Sequence, residues 1–307
     1  MKQPRPQAER TDALWIRARM IQAIRSFFID RGYLEVETSH RIPAPIPEEH
    51  IDVFRSEDWF LHPSPELCMK RLLAAGYPRI FQLCRCFRAG ERGTRHLPEF
   101  TMLEWYRQGA DYRDLMEECE WLLSEVAGHL KGQPSLRYRN TEISLRPPWE
   151  RLTVEEAFRR FAPLSASEAL RVDRFDELLA IHIEPLLGKE RPTILYDYPA
   201  ALGSLARLKR EDPTLAERFE IFIGGLELAN GFSELNDETE QRKRFLKTQQ
   251  ERHGLGKAIY PIPEKFLQDL PCLPDSAGIA FGIDRLAMLF ADTAEIDDVS
   301  TWTPEEL

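Results

Sequence analysis

From Leu14 to Asp30 the chain reads LWIRARMIQAIRSFFID, and Ile16, Met20, Ile24, Phe27 and Phe28 recur at helical spacing. This apolar stripe predicts an amphipathic helix ended by Arg31-Gly32. YLEVET then reads as a strand, and RIPAPIPEE (41–49) as a proline-rich loop. SPELCMKRLLAAGY reads as a short helix that Gly76 terminates. RIFQLCRCFR and EFTMLEWYRQG read as two strands joined by an Arg- and Gly-rich loop. YRDLMEECEWLLSEVAGHL predicts a second amphipathic helix. Thr153 with Glu156, and Ser165 with Glu168, have the spacing of capping boxes that start helices. Strands resume at TILYDYP, RFEIFIGGLELANGF and SAGIAFGIDR, the last running into the apolar helix LAMLFA. Strands joined by tight loops imply an antiparallel sheet with helices packed on it, an α+β fold. Residues 1–12 read as a flexible arm and 13–307 as one domain. The stretch from about 150 to 215, mostly helical and poor in chemistry, reads as an insertion between two halves of the sheet.

Composition narrows the function. The 307 residues are 43% hydrophobic and 30% charged, enough for one large core or a main domain with an insertion. Forty-one basic against 51 acidic residues give a formal charge of −10, which argues against non-specific nucleic-acid binding. An odd count of five cysteines fits reduced thiols. Cys84-Arg85-Cys86 comes nearest to a metal motif, but no further ligands stand at suitable spacing, so no zinc site is expected there. No run approaches the roughly 20 apolar residues of a membrane span, and MKQPRPQAERTDALW has no secretion signal. The expectation is a soluble, cytoplasmic protein. The basic run RKRFLKTQQERHGLGK (242–257) reads as a solvated helix face rather than a contact for an acidic partner.

Three segments carry chemistry. In EFTMLEWY, period-two alternation puts Phe100, Met102, Glu104 and Tyr106 on one face and Thr101, Leu103 and Trp105 on the packed one. Arg88 shares its side of the partner strand with Cys86, Cys84 and Gln82. One face then offers a guanidinium fork for a phosphate or carboxylate, a stackable ring, a carboxylate and a phenol. The residues alone leave a surface hairpin with ordinary ion pairs as an equal reading. In FEIFIGGLELANGFSEL, a two-residue loop at Gly224-Gly225 sets Phe222 opposite Glu227 and Glu220 diagonal to it, roughly 7 Å away. Two carboxylates that close repel unless a cation such as Mg²⁺ lies between them, or unless Glu220 points to solvent. In GIAFGIDRLAML, Gly278, Ala280 and Gly282 share a strand face nearly free of side chains, either a floor for a ligand or a plain buried strand packed under a helix. Arg285 follows at a helix start, where the dipole does not favour a cation, so an anionic partner is expected.

These segments carry a family resemblance over residues 14–295 or so. IRSFFIDRGYLEVET resembles motif 1, CFRAGERGTRHLPEFTMLEWY motif 2 and GIAFGIDRLAMLF motif 3 of the class II aminoacyl-tRNA synthetases. SPELCMKRLL and ELANGFSELND are similar to signatures of the lysine type. Motif 1 begins almost at once, with no room for an anticodon-binding barrel, so the chain resembles the elongation factor P (R)-β-lysine ligase family. Ala280 fits, since the tRNA-charging enzymes usually carry glycine there.

The resemblance implies an antiparallel sheet flanked by helices. It also implies ATP- and Mg²⁺-dependent activation of lysine or β-lysine as an adenylate, then transfer to a lysine of elongation factor P. Motif 1 implies a homodimer, and tRNA is not an expected partner. Arg88 would bind the α-phosphate and the substrate carboxylate, His96 and Arg285 the ATP phosphates, and Phe100 the adenine. Leu228 and Gly282 would line the nucleotide site, and Glu220 and Glu227 would coordinate Mg²⁺. Ser64, Glu66 and Ala280 would face the amino acid, with Glu66 at its amino group. Glu104, Tyr106, Asn230 and Glu234 would line the pocket for the distal ammonium. Three positions depart from the family. Arg88-Ala89-Gly90 replaces arginine-x-glutamate, with Glu91 one place late; Leu97 replaces asparagine; and Ser39 replaces the motif 1 proline. These departures leave open an adenylating paralogue with another protein or small-molecule acceptor, or a non-catalytic regulator.

Overall fold

The computed structural model describes residues 6–307. Eight strands form the main sheet: β1 (Leu34–Glu35), β2 (Arg79–Phe87), β3 (Glu99–Gln108), β4 (Glu150–Thr153), β5 (Thr193–Pro199), β6 (Leu215–Ile223), β7 (Leu226–Ser233) and β8 (Ser276–Gly282). Their order is β1-β2-β3-β8-β7-β6-β5-β4. The six central strands pair antiparallel, and the two edge strands join in parallel. The fold is α+β, as the strand pattern implies.

Strand alternation decides what each face does. Phe81, Leu103, Trp105, Phe219, Ile221, Ile279 and Phe281 project to one side and form the main core. Helices α1 (Thr11–Asp30) and α3 (Tyr112–Lys131) cover that side and bury Met20, Ile24, Phe28, Leu115 and Leu122. The opposite face carries the polar residues and a large cavity. Helix α2 (Glu66–Ala74) packs there beside Phe245 of α5 (Glu238–Gly254).

A β-bulge sets the face of β7. Phe222 pairs with Glu227 but Ile221 pairs with Ala229, so Leu228 is the extra residue. Unbroken alternation from Glu227 would put Ala229 opposite Glu220. The bulge brings Asn230 there instead, and with it Phe232 onto the cavity side. Gly224 and Gly225 make the turn with φ of +61° and +76°, values that glycine reaches without strain.

Several sequence expectations change in detail. YLEVET yields only the two-residue β1, and α1 begins at Thr11 rather than Leu14. Residues 1–5 of the expected arm lie outside the described residues. From Gln7 the chain is a 3₁₀ turn, and the buried Arg10 guanidinium grips the Glu306 carboxylate at 3.0 and 2.5 Å. Within 150–215, helices occupy Val154–Phe161 (α4), Ala166–Arg171 and Phe175–Leu178, while β4 and β5 belong to the main sheet. Leu152, Phe158, Phe175, Leu195 and Phe222 share one apolar cluster, so these helices are rooted on the sheet itself. Both capping boxes form. No described helix is long and apolar enough to cross a membrane.

Candidate active site

The cavity on the polar face has a volume of about 370 Å³ and lies over β3, β8 and β7. Twelve of the fifteen residues given site roles above line it: Ser64, Glu66, Arg88, His96, Phe100, Tyr106, Glu227, Leu228, Asn230, Ala280, Gly282 and Arg285. Glu104, Glu220 and Glu234 lie just beneath the lining, all buried.

At the end formed by the β2–β3 loop, Arg88 lies over the Phe100 ring at 5.0 Å. Its nearest carboxylate is Glu91, at 3.8 Å, so the late glutamate still meets the arginine. Arg88 Nε is buried and has no hydrogen-bond partner among the described residues. A guanidinium so placed has donors free for an incoming anion. Gly90 takes a φ of +78° in the loop, where an ordinary side chain would be strained. Leu97 packs into the main core and adds an apolar wall to the cavity.

Arg285 stands in the first turn of α6 (Ile283–Phe290). It donates to the Glu227 carbonyl at 2.7 Å, lies 3.4 Å from the Glu227 carboxylate, and also bonds His96 Nε2. Glu227 is therefore the anionic partner that Arg285 needs. Burial and the Arg285 charge lower the His96 pKa, which keeps Nε2 an acceptor. The preceding Asp284, which sequence reasoning passed over, ties three segments together. It accepts the Thr101 amide at 2.6 Å and pairs with Arg17 of α1 at 2.7 Å.

Glu220 differs from its expected setting. Its carboxylate takes Arg218 Nη2 at 2.7 Å and the Tyr198 hydroxyl at 2.6 Å, and Arg218 also bonds Asn230 Oδ1 at 3.2 Å. Arg218 and Tyr198 were missed, although Arg218 stands two places from Glu220 on the same strand face. Burial pushes the Glu220 carboxyl up to about 7, Arg218 opposes this, and Glu227 adds to it. A carboxylate pair that holds a proton near neutrality suits a hard divalent cation, which would replace that proton.

The far end is an acidic nest. Ser64 donates to Glu104 at 2.6 Å and accepts the Glu66 amide at 3.0 Å, while the Tyr106 hydroxyl donates to Glu104 at 2.7 Å. Lys70, unforeseen though it stands four places after Glu66, is buried between Glu66 and Glu234 at 2.5 Å from each. Burial opposes its charge, but the two carboxylates outweigh burial and raise its pKa. Burial and Glu66 push Glu104 up to about 8. Burial pushes Glu234 up to about 8 as well, against the pull of Lys70. The floor is less bare than the small residues suggest. A Cβ at Gly278 would come within 2.2 Å of the Tyr106 ring and 2.5 Å of Glu234 Oε1, so Gly278 makes room for these side chains.

The description "tRNA synthetases class II (D, K and N)" fits residues 6–305 of the chain. An elongation factor P–(R)-β-lysine ligase of Salmonella gallinarum is 40% identical over 306 residues, covering 94% of this chain and 93% of that protein. The ligase of the same name from Enterobacter sp. is 40% identical over 304 residues, with the same coverage of each chain. The chain belongs to this ligase family within the class II synthetases. The segments resembling motifs 2 and 3 and the two lysine-type signatures converge on the cavity, whereas the segment resembling motif 1 packs in the core on the opposite face of the sheet.

Proposed function

We propose that this chain is an ATP-dependent ligase that activates a lysine-like amino acid, (R)-β-lysine first, and transfers it to a lysine side chain of elongation factor P. The observation that carries this reading is Arg88, with a buried, unpartnered Nε and a ring beneath it, across the cavity from the acidic nest. Arg88 and Arg285, with His96, would hold the ATP phosphates, and Arg88 would draw in the substrate carboxylate. Phe100 would stack on adenine, with Leu228 and Gly282 beside it. Glu220 and Glu227 would hold Mg²⁺, which draws charge off the phosphates when bound. The amino acid carboxylate oxygen attacks the α-phosphorus and pyrophosphate leaves. The neutral acceptor amine then attacks the carbonyl and AMP departs. Ser64, Glu66, Glu104, Tyr106, Asn230, Glu234 and Ala280 would surround the amino acid.

Mass spectrometry of elongation factor P incubated with the enzyme, ATP and β-lysine tests the acceptor. The expected result is one added β-lysyl group on a single lysine; unmodified elongation factor P under conditions that support adenylate formation overturns it. The described cysteines are unpaired, which supports a reducing compartment and action in the cytoplasm. Trp15 and Ile29 on α1 are 63% and 57% exposed, and Leu34 on the edge strand is 49% exposed. An apolar surface there supports a homodimer through motif 1. Light scattering is expected to give twice the chain mass, and a concentration-independent monomer would contradict it.

The raised Glu104 carboxyl gives the binding step a pH signature. Glu104 at about 8 is largely protonated at neutral pH, and an incoming ammonium must displace its proton. KM for the amino acid is expected to fall by about tenfold per pH unit between pH 6.5 and 8 if one proton leaves. Calorimetry in buffers of different ionisation enthalpy checks it, and a pH-independent KM without proton release would exclude it. The sign for stability is opposite. The folded state holds the Glu104 proton between about 4.5 and 8 whereas the unfolded chain releases it, so the free protein loses stability as pH rises through that window.

A further inference from the structure

Sequence spacing gave Cys84 and Cys86 no third ligand, but the fold supplies one. Both thiols project from the same face of β2, with Sγ atoms 3.9 Å apart. Two sulfurs bound tetrahedrally to one zinc at about 2.3 Å each stand about 3.8 Å apart, so the pair already has the spacing of a chelate. His62, on the segment leading into α2, is pinned alongside: the Phe87 amide donates to its carbonyl at 3.0 Å. The His62 ring is fixed too. Nε2 lies 2.7 Å from the Arg85 carbonyl, which can only accept, so Nε2 carries the proton and Nδ1 the lone pair. Nδ1 is buried and has no hydrogen-bond partner among the described residues. Nδ1 or Nε2 of His62 and the two sulfurs fall within 4.8 Å of one another, and all three residues are buried.

We propose that His62, Cys84 and Cys86 bind a thiophilic divalent cation of the zinc class, through His62 Nδ1 and the two sulfurs. The Arg85 carbonyl plays the part of the outer partner that orients a metal-binding histidine. A fourth ligand is available from solvent or from His40, whose ring centroid is 5.1 Å from that of His62. Two sulfurs and a nitrogen are soft donors, chemically separate from the oxygen pair Glu220 and Glu227. The thiols pack with Met102, against Phe100 and Ala280, which line the cavity. A cation here would clamp the His62 segment to the end of β2, next to Arg88, from beneath the cavity floor.

The test uses the full chain, reduced and stripped of metal, titrated with Co²⁺ and with Zn²⁺. The expected result is saturation at one Co²⁺ per chain with a thiolate-to-cobalt charge-transfer band, displaced by Zn²⁺. His62→Gln and Cys86→Ser are each expected to weaken binding by at least about tenfold, while Cys272→Ser leaves it unchanged. X-ray absorption on the zinc-loaded wild type, which needs no variant to fold, is expected to show two sulfur neighbours and at least one nitrogen. The proposal is overturned if wild type gives no charge-transfer band, or if the band survives undiminished in the Cys84→Ser/Cys86→Ser double variant. It is equally overturned if zinc in the wild type is bound by oxygen and nitrogen alone, or if Cys84 and Cys86 form a disulfide in protein kept under reducing conditions.

Discussion

Replacing Arg88 with alanine is expected to slow amino-acid-dependent pyrophosphate exchange by about 10³-fold, the cost of losing a preorganised donor to the developing charge. Stability is expected to stay within about 0.5 kcal/mol of the parent, because the side chain serves no structural bond. Its Nε is unpartnered, and its ion pair with Glu91 is long at 3.8 Å. The Arg88→Lys variant separates charge from shape: a point charge remains, but the planar fork that grips two oxygens at once is gone. Most of the loss should therefore persist in lysine. Urea denaturation alongside the exchange assay checks both halves. An alanine variant with near-parental exchange would remove Arg88 from the reaction.

Gly278→Ala is expected to raise KM for the amino acid by about 10- to 100-fold with a smaller change in kcat. The added methyl would meet the Tyr106 ring at 2.2 Å and Glu234 at 2.5 Å. Neither side chain has room to yield: Tyr106 is hydrogen-bonded to buried Glu104, and Glu234 is held by Lys70. Overpacking of this kind costs about 1–3 kcal/mol, which is the size of the KM effect. Steady-state kinetics with ATP saturating reads it out. If KM for ATP moved and KM for the amino acid did not, Gly278 would belong to the nucleotide end instead.

What could be read before the structure was known followed from local rules. Period-two alternation in EFTMLEWY assigned the packed and open faces of β3 correctly, and residue spacing located both capping boxes. Strict alternation does not carry through Leu228. A bulge there inverts the phase of the rest of β7, and nothing in LELANGF announces it, since the extra residue is an ordinary leucine. Lys70 was overlooked because a lysine among short helix residues reads as solvent-facing; only the tertiary approach of Glu234 makes its burial tolerable. The same holds for Arg218, whose partners Tyr198 and Asn230 come from two neighbouring strands. His62 and the two thiols are the clearest case. His62 lies more than 20 positions before the thiols, and only the fold brings the imidazole to the sulfurs.

On the proposed reading, Arg88 and Arg285 grip an anion at one end of the cavity and the acidic nest grips an ammonium at the other, so the substrate carries both a carboxylate and a distant amine. Amino-acid-dependent ATP–pyrophosphate exchange across lysine, (R)-β-lysine, ornithine, leucine and glutamine tests it most directly. Exchange with the diamino acids, strongest with β-lysine, and none with leucine or glutamine is the expected result. Equal exchange with leucine, or none with any amino acid in the set, would contradict it.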